Sequence, residues 1–377
     1  MGDDPDILTD AIARAMQRAN LVITTGGLGP TNDDITKKSI CKYFKRPLIF
    51  YENILQKIQE RFDKRGIKMP PINQNQALLP QGAEFIDNEL GSAVGIALED
   101  NDALFVATPG VPVEMKPMIT GWVSEAIRKR SGGMLTTHRK IRTVGIMESA
   151  IFEKIDDIIE PQNKLKAEKV SVAFLPSWRG VDIRLTTKSK NEHEAKQRIK
   201  DLENKIVERI ENHVFGYDND ELSFVVGELL KSKRLTLSVA ESCTGGMLGS
   251  MITDISGSSE FFLGGVISYS NDLKMKLLSV PQIILEKYGA VSSECVTHMA
   301  EGIIRQTGSD IGVAITGIAG PTGGTPEKPV GKVFIGLAAK DYTDVQDLQF
   351  GGDRECNRER AATFALDMIR RYLLHRT

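Results

Sequence analysis

Leu237-Ser238-Val239-Ala240-Glu241-Ser242-Cys243-Thr244-Gly245-Gly246 decides how this chain of 377 residues is read. The short apolar run reads as a buried strand that breaks at Glu241-Ser242. Two glycines then turn the chain toward a helix. The first N–H groups of a helix have no partner inside it. A hydroxyl placed beside such donors lies where a phosphate is bound or an oxyanion stabilised. Ser242 is therefore the first place to look for chemistry.

Working outward, an amphipathic helix is expected over residues 221–231. Asp218-Asn219-Asp220 before it reads as a boundary, with Asp220 as the helix cap. After Ser242 come a helix, Ser256-Gly257-Ser258-Ser259, and a strand over residues 265–268 that ends in Tyr269-Ser270-Asn271-Asp272-Leu273-Lys274. Ser292-Ser293 cap a helix that runs to residue 305. A strand over 311–315 leads into Thr316-Gly317-Ile318-Ala319-Gly320-Pro321. A further strand covers 333–339, and Gly351-Gly352-Asp353-Arg354 opens the last helix.

Several of these strand ends carry a reactive or charged side chain. A serine hydroxyl needs a base to take its proton. The histidines of this part are His298, inside a helix, and His375, near the end, so a Ser-His-Asp triad is not expected. Lys274 is the available base, provided that burial or a nearby cation lowers it from its free pKa of about 10.4. Arg354 would be that cation or a bidentate phosphate holder. Tyr269 would relay a proton or position substrate. The plainer alternatives are that Ser242 caps a helix, that Lys274 is a solvated helix residue and that Arg354 is a surface ion pair.

Toward the N-terminus, residues 5–17 have a helical period, where a doubly wound sheet would open with a strand. A strand over 21–24 then enters Thr25-Gly26-Gly27-Leu28-Gly29-Pro30-Thr31-Asn32-Asp33-Asp34. Strand, glycine turn and helix form a phosphate-binding arrangement in α/β folds. Gly26 and Gly27 allow close backbone approach, Thr31 and Asn32 add short polar groups, and Asp33 and Asp34 could take a divalent metal. A tight turn with an acidic first helical residue is the alternative. The buried strand over 102–107 ends in Thr108-Pro109-Gly110-Val111-Pro112-Val113-Glu114-Met115, before a helix to about residue 130. That places Glu114 either at a site or in an acidic first turn.

Between these parts, strands over 140–144, 170–174 and 181–187 and helices over 147–159 and 192–213 make a small α+β domain. The second and third strands pair around Pro176-Ser177-Trp178-Arg179-Gly180. Trp178 and Arg179 either stack on a base or form an exposed turn. The domains expected are residues 1–134, 135–216 and 217–377.

Bulk properties bound the function. Forty-eight basic and fifty acidic residues leave a net charge of -2, so there is no global attraction to nucleic acid. No apolar run is long enough to span a bilayer, and the start, Met1-Gly2-Asp3-Asp4-Pro5-Asp6, lacks the apolar segment of a signal peptide. Cys41, Cys243, Cys295 and Cys356 are scattered, without a CxxC pair, which gives neither a disulfide framework nor a zinc site. A cytoplasmic protein is expected.

Ala240-Glu241-Ser242-Cys243-Thr244-Gly245-Gly246, Tyr269-Ser270-Asn271 with Lys274, Gly317-Ile318-Ala319-Gly320-Pro321 and Gly352-Asp353-Arg354 resemble the C-terminal domain of the CinA family, competence- and damage-inducible protein A. Thr25 to Thr31 with Asp33-Asp34, and Pro109-Gly110-Val111-Pro112 with Glu114-Met115, resemble the family's molybdopterin-binding-like domain. The resemblance covers essentially the whole chain. It implies an α/β amidase domain at the C-terminus that hydrolyses nicotinamide mononucleotide to nicotinic acid mononucleotide and ammonia, in pyridine nucleotide salvage, without a cofactor.

By motif, Ser242 would be the nucleophile, Lys274 and Tyr269 would activate it, and Thr316 would lie in the site. Arg354, with Thr244, Gly245, Gly246 and Gly317, would hold substrate. The resemblance further implies a metal-dependent ADP-ribose pyrophosphatase at Gly26, Gly27, Thr31, Asn32, Asp33, Asp34 and Glu114, with Asp33 and Asp34 on the metal. Family members carry an opening strand and a Gly-Thr-Glu-Leu-type loop before the stretch that matches Gly2-Asp3-Asp4. This sequence has neither, so either the first domain lacks that strand or the N-terminus is incomplete. The remaining expectations are a homodimer that contacts neither nucleic acid nor membrane or, as the other reading, a non-enzymatic interaction protein of competence or DNA damage.

Overall fold

The computed structural model describes residues 4–31, 33–164 and 169–375; Met1, Gly2, Asp3 and Asn32 lie outside the described residues. The chain divides into two compact units, Met1–Met134 and Leu135–Thr377.

The first unit opens, among the described residues, with α1 (Pro5–Arg18), started by Asp4, whose carboxylate accepts from the Asp6 N–H at 2.8 Å. Then follow β1 (Leu21–Thr25), α2 (Thr36–Phe44), β2 (Leu48–Phe50), α3 (Glu52–Lys64), β3 (Leu78–Pro80), β4 (Glu84–Ile86), β5 (Gly95–Asp100) and β6 (Ala103–Thr108). One sheet has the order β1-β6-β5-β4, and β2 pairs with β3 separately. β1 runs parallel to β6 with Thr25 opposite Thr108, so the loops leaving both strands emerge side by side. The helix expected after β6 is divided into α4 (Pro112–Met118), a π-helical turn at Ile119–Val123 and α5 (Ser124–Arg130). Pro117 has no amide to donate to the helix ladder, and the ladder widens directly after it.

The second unit begins with β7 (Leu135–Thr143), α6 (Glu148–Lys164), β8 (Ser171–Pro176), β9 (Val181–Ser189), α7 (Glu192–Ile210) and β10 (Val214–Tyr217). Their strands form one antiparallel sheet in the order β10-β7-β9-β8. The β8–β9 hairpin pairs as its turn residues predict. β10 escapes the sequence reading because it is four residues long and its register shifts between Val214 and Gly216. Asp220 is a correction: its carboxylate accepts from the Tyr217 N–H at 2.8 Å and closes the turn after β10, while Glu221 is the N-cap of the next helix.

The same unit continues with α8 (Leu222–Lys233), β11 (Leu237–Glu241), α9 (Met247–Thr253), β12 (Phe262–Ile267), α10 (Asn271–Leu278), α11 (Gln282–Lys287) and α12 (Ser293–Thr307). β13 (Ile311–Gly317), β14 (Lys332–Ala339), β15 (Tyr342–Gln349) and α13 (Arg354–His375) complete it. The five-stranded sheet has the order β12-β11-β13-β14-β15. β12, β11 and β13 are parallel; β14 and β15 are antiparallel additions. All five residues of β11 are buried, because apolar side chains from α8, α9 and α13 cover one face and α12 the other. The carboxyl ends of β11, β12 and β13 therefore open together on one edge, where α/β sheets gather their sites.

α13 joins the two parts of this unit. Arg370, 2% exposed, donates to the carbonyls of Asn212 at 2.8 Å and Val214 at 3.1 Å and to Asp367 at 2.9 Å. Arg179, on the β8–β9 turn, pairs with Glu359 at 2.6 Å, so its charge is satisfied within the protein. Trp178 beside it is exposed. No helix among the described residues is long and apolar enough to cross a membrane.

Candidate active site

Ser242 leaves β11 at the centre of the sheet, and its N–H donates to the Ile315 carbonyl of β13 at 3.0 Å. The next residues reverse the chain through Gly245 at φ 61° and Gly246 at φ 97°, a region that side chains other than glycine seldom adopt. Gly246, not Ser242, is the N-cap of α9, which removes the helix-cap reading of the serine.

Lys274 approaches from the other side. Ser270 caps α10 by accepting from the Leu273 N–H at 3.2 Å, and this start turns Lys274 and Leu278 inward. Lys274 is 1% exposed; its Nζ lies 3.0 Å from Ser242 Oγ and donates to the Ser268 carbonyl at 2.8 Å. It is not a solvated helix residue. Burial lowers its pKa, opposed by the nearby Cys295 and Cys243 thiols. Arg354 is not needed for that shift.

Ser242, Lys274, Tyr269, Thr316, Gly317 and Arg354 line one cavity of about 340 Å³. Thr316 donates its hydroxyl to the Ala290 carbonyl at 2.7 Å, which turns its remaining lone pairs elsewhere. Arg354 donates to the Gly320 carbonyl at 2.8 Å and to the Tyr269 hydroxyl at 3.0 Å. Tyr269 is therefore held at the exposed mouth by Arg354, while the serine and lysine meet directly. Neither His298 nor His375 lines this cavity.

Thr244, Gly245 and Gly246 are brought to the turn but not to the cavity wall. Thr244 Oγ1 is buried without a hydrogen-bond partner. Its carbonyl receives two hydrogen bonds from Arg358, at 2.7 and 3.2 Å. Sequence reasoning passed over Arg358; it lies four residues after Arg354, on the same face of α13. Most donors at the start of α9 are already used, since the Glu241 carboxylate accepts from Gly246, Leu248 and Gly249. Cys243, the residue after Ser242, lines the cavity, and its backbone N–H bonds its own buried thiol.

In the first unit, the Gly26 N–H donates to the Thr108 carbonyl at 2.9 Å, and Thr36 Oγ1 donates to the Gly26 carbonyl at 2.9 Å. The glycine loop thus meets the end of β6. Asp34 accepts from the N–H and hydroxyl of Thr31, at 2.9 and 2.7 Å, and closes the loop on itself. Gly27 lies under Thr36, Asp33 is exposed, and Glu114 accepts from Asn88 at 2.7 Å. Among the described residues no group of three or more His, Cys, Asp or Glu could hold a metal ion. Asp33 and Asp34 are the carboxylates of this loop, and Asn32 lies outside the described residues. Lys37, unremarked in the sequence, is buried beside this loop; its Nζ donates to the Asn75 carbonyl at 2.7 Å, and burial brings its pKa down to about 8.

The molecule is a mixed α/β protein with a glycine-loop unit, a small α+β part and a C-terminal sheet that carries a serine–lysine pair. Residues 1–129 match the probable molybdopterin binding domain, residues 138–216 the damage-inducible protein CinA KH domain and residues 219–373 the CinA C-terminal domain. A CinA-like protein of Kosmotoga olearia is 42% identical, with 99% of this chain and 89% of its own length covered. A putative competence-damage inducible protein of Caldicellulosiruptor saccharolyticus is 40% identical over 100% of this chain and 90% of its own. A solved CinA superfamily protein from Klebsiella pneumoniae is 34% identical, covering 41% of this chain and 96% of its own, with a TM-score of 0.40. The chain belongs to the CinA family.

Proposed function

We propose that the C-terminal domain is a cytoplasmic nicotinamide mononucleotide deamidase that uses Ser242 as nucleophile and Lys274 as its base. The observation that carries this reading is the 3.0 Å contact between Lys274 Nζ and Ser242 Oγ, made by a lysine that burial drives toward its neutral form. A neutral amine accepts a proton, whereas an ammonium cannot.

The reaction then runs in two halves. Lys274 takes the Ser242 proton as Oγ bonds to the carboxamide carbon, whose oxygen becomes an oxyanion. The ammonium of Lys274 returns that proton to the leaving nitrogen, the C–N bond breaks, and ammonia departs from an ester on Ser242. Water, deprotonated by Lys274, attacks this ester. The proton passes back to Ser242 Oγ as the carboxylic acid leaves. Arg354, at the cavity mouth, is placed to hold the nucleotide phosphate once Tyr269 yields its contact.

The test is ammonia release from nicotinamide mononucleotide by the purified chain in the presence of a chelator. A folded protein that releases none above blank refutes the reading. The second reading is a metal-dependent ADP-ribose pyrophosphatase in the first unit. Metal-dependent AMP formation from ADP-ribose, unchanged by Ser242→Ala, would support it, and none from a folded chain would refute it.

A further inference from the structure

A buried carboxylate lies directly before Ser242, and the chemistry above gives it no task. Glu241 is 2% exposed, at the last position of the central strand. Its backbone is fixed on both sides, opposite Ile267 of β12 and Ile315 of β13. Its carbonyl accepts from the Ser268 N–H at 2.8 Å, and Ser268 in turn offers its own carbonyl to Lys274. The side chain folds forward over the turn. Oε2 accepts from the N–H groups of Gly246 at 3.0 Å and Leu248 at 3.1 Å, and Oε1 accepts from Gly249 at 2.8 Å.

A buried carboxylate ordinarily needs a cationic partner or an equivalent set of donors. Here backbone amides at the positive end of a helix serve instead, an arrangement that stabilises negative charge. The cap closes a loop in space: Glu241 binds Gly246, Leu248 and Gly249, and Ser242 to Gly245 are held as the arc between. Arg358 grips the outside of that arc at the Thr244 carbonyl. Two contacts thus act on the arc, one at its far end and one at the Thr244 carbonyl.

We propose that Glu241 is the positioning residue of the Ser242 nucleophile. Its carboxylate sets the turn so that Oγ faces Lys274. The inference rests on the serine–lysine reading. A glutamine in its place presents an amide NH₂ to at least one of the backbone N–H donors, so one contact becomes a repulsion. An aspartate keeps the anion but is one methylene too short to reach all of them.

The experiment uses the full chain and a fluorophosphonate probe, which reports nucleophilicity at Ser242 without the nucleotide. Labelling rate per titratable serine, kcat and KM are compared for wild type, Glu241→Gln and Glu241→Asp. The expected result is a fall of about 10²-fold in both kcat and labelling rate, with KM within about 3-fold, because only the reacting geometry is lost. A purely structural role would lower Tm and the number of titratable sites while each remaining site reacted at the wild-type rate. That outcome overturns the proposal. If Glu241→Gln does not fold, Glu241→Asp decides alone, and a wild-type labelling rate in it is equally fatal. A wild-type chain that is not labelled at Ser242 at all refutes the serine–lysine reading itself, and the inference falls with it.

Discussion

At the scale of single residues, the site turns on an amine kept from water beside a hydroxyl. Ser242→Ala is expected to abolish ammonia release, and Lys274→Ala to lower kcat by about 10²-fold or more, as loss of a general base does. Stopped assays of ammonia on the folded variants decide both. The lowered pKa of Lys274 also fixes the sign of the pH dependence. Activity requires the neutral amine, so kcat rises with pH through that pKa and fails on the acid side. The same shift affects stability in the same direction. Between the lowered pKa and the usual value of 10.5 the unfolded chain binds a proton that the folded chain does not, so stability rises with pH across that window. Lys274→Met, which removes the desolvated amine and keeps an unbranched side chain, should therefore be inactive yet have a higher Tm at neutral pH. A lower Tm would contradict a net desolvation cost at Lys274.

At the scale of elements, close backbone approaches carry the geometry. A Cβ on Gly302 of α12 would lie 2.1 Å from the Leu278 carbonyl oxygen of α10, the helix that seats Lys274. Gly302→Ala should push those helices apart, cost about 1–3 kcal/mol in denaturant unfolding, and lower kcat more than KM. Unchanged kinetics would mean that α10 can shift without moving Lys274.

The C-terminal elements were legible because each motif sits where a parallel strand stops, and apolar runs bounded by glycine mark such strands well. Ser242, Lys274, Tyr269, Thr316 and Arg354 could be named from those ends, since the fold class places strand ends together. What could not be read was their pairing. Sequence allowed Tyr269 to stand between serine and lysine, but the capped start of α10 buries Lys274 and leaves Tyr269 at the mouth. Glu241 and Arg358 were missed because their partners are backbone groups, which leave no residue-type signal. In the first unit the short strands β2 to β5 lack the periodicity that would have revealed them. That Asp34 folds back onto Thr31 is a loop contact for which the sequence carries no residue-type signal.

At the scale of the molecule, the Leu135–Thr377 unit depends on contacts that cross from its first part to its last. Arg370→Ala removes a buried guanidinium from two carbonyls and from Asp367, and should cost about 3 kcal/mol, read as a lower midpoint in urea. A midpoint equal to wild type would show the contact to be dispensable. α13 extends this argument. Arg358 near its start holds the turn after Ser242, and Arg370 near its end holds the segment that leads into β10. The two arginines are twelve residues apart on one 22-residue helix, roughly 18 Å along its axis. A helix of that length works as a splint, and neither part can melt while the other keeps it. Calorimetry of the residues from Leu135 onward should therefore record one heat-absorption peak rather than two, with catalytic competence and the small antiparallel sheet lost at the same temperature.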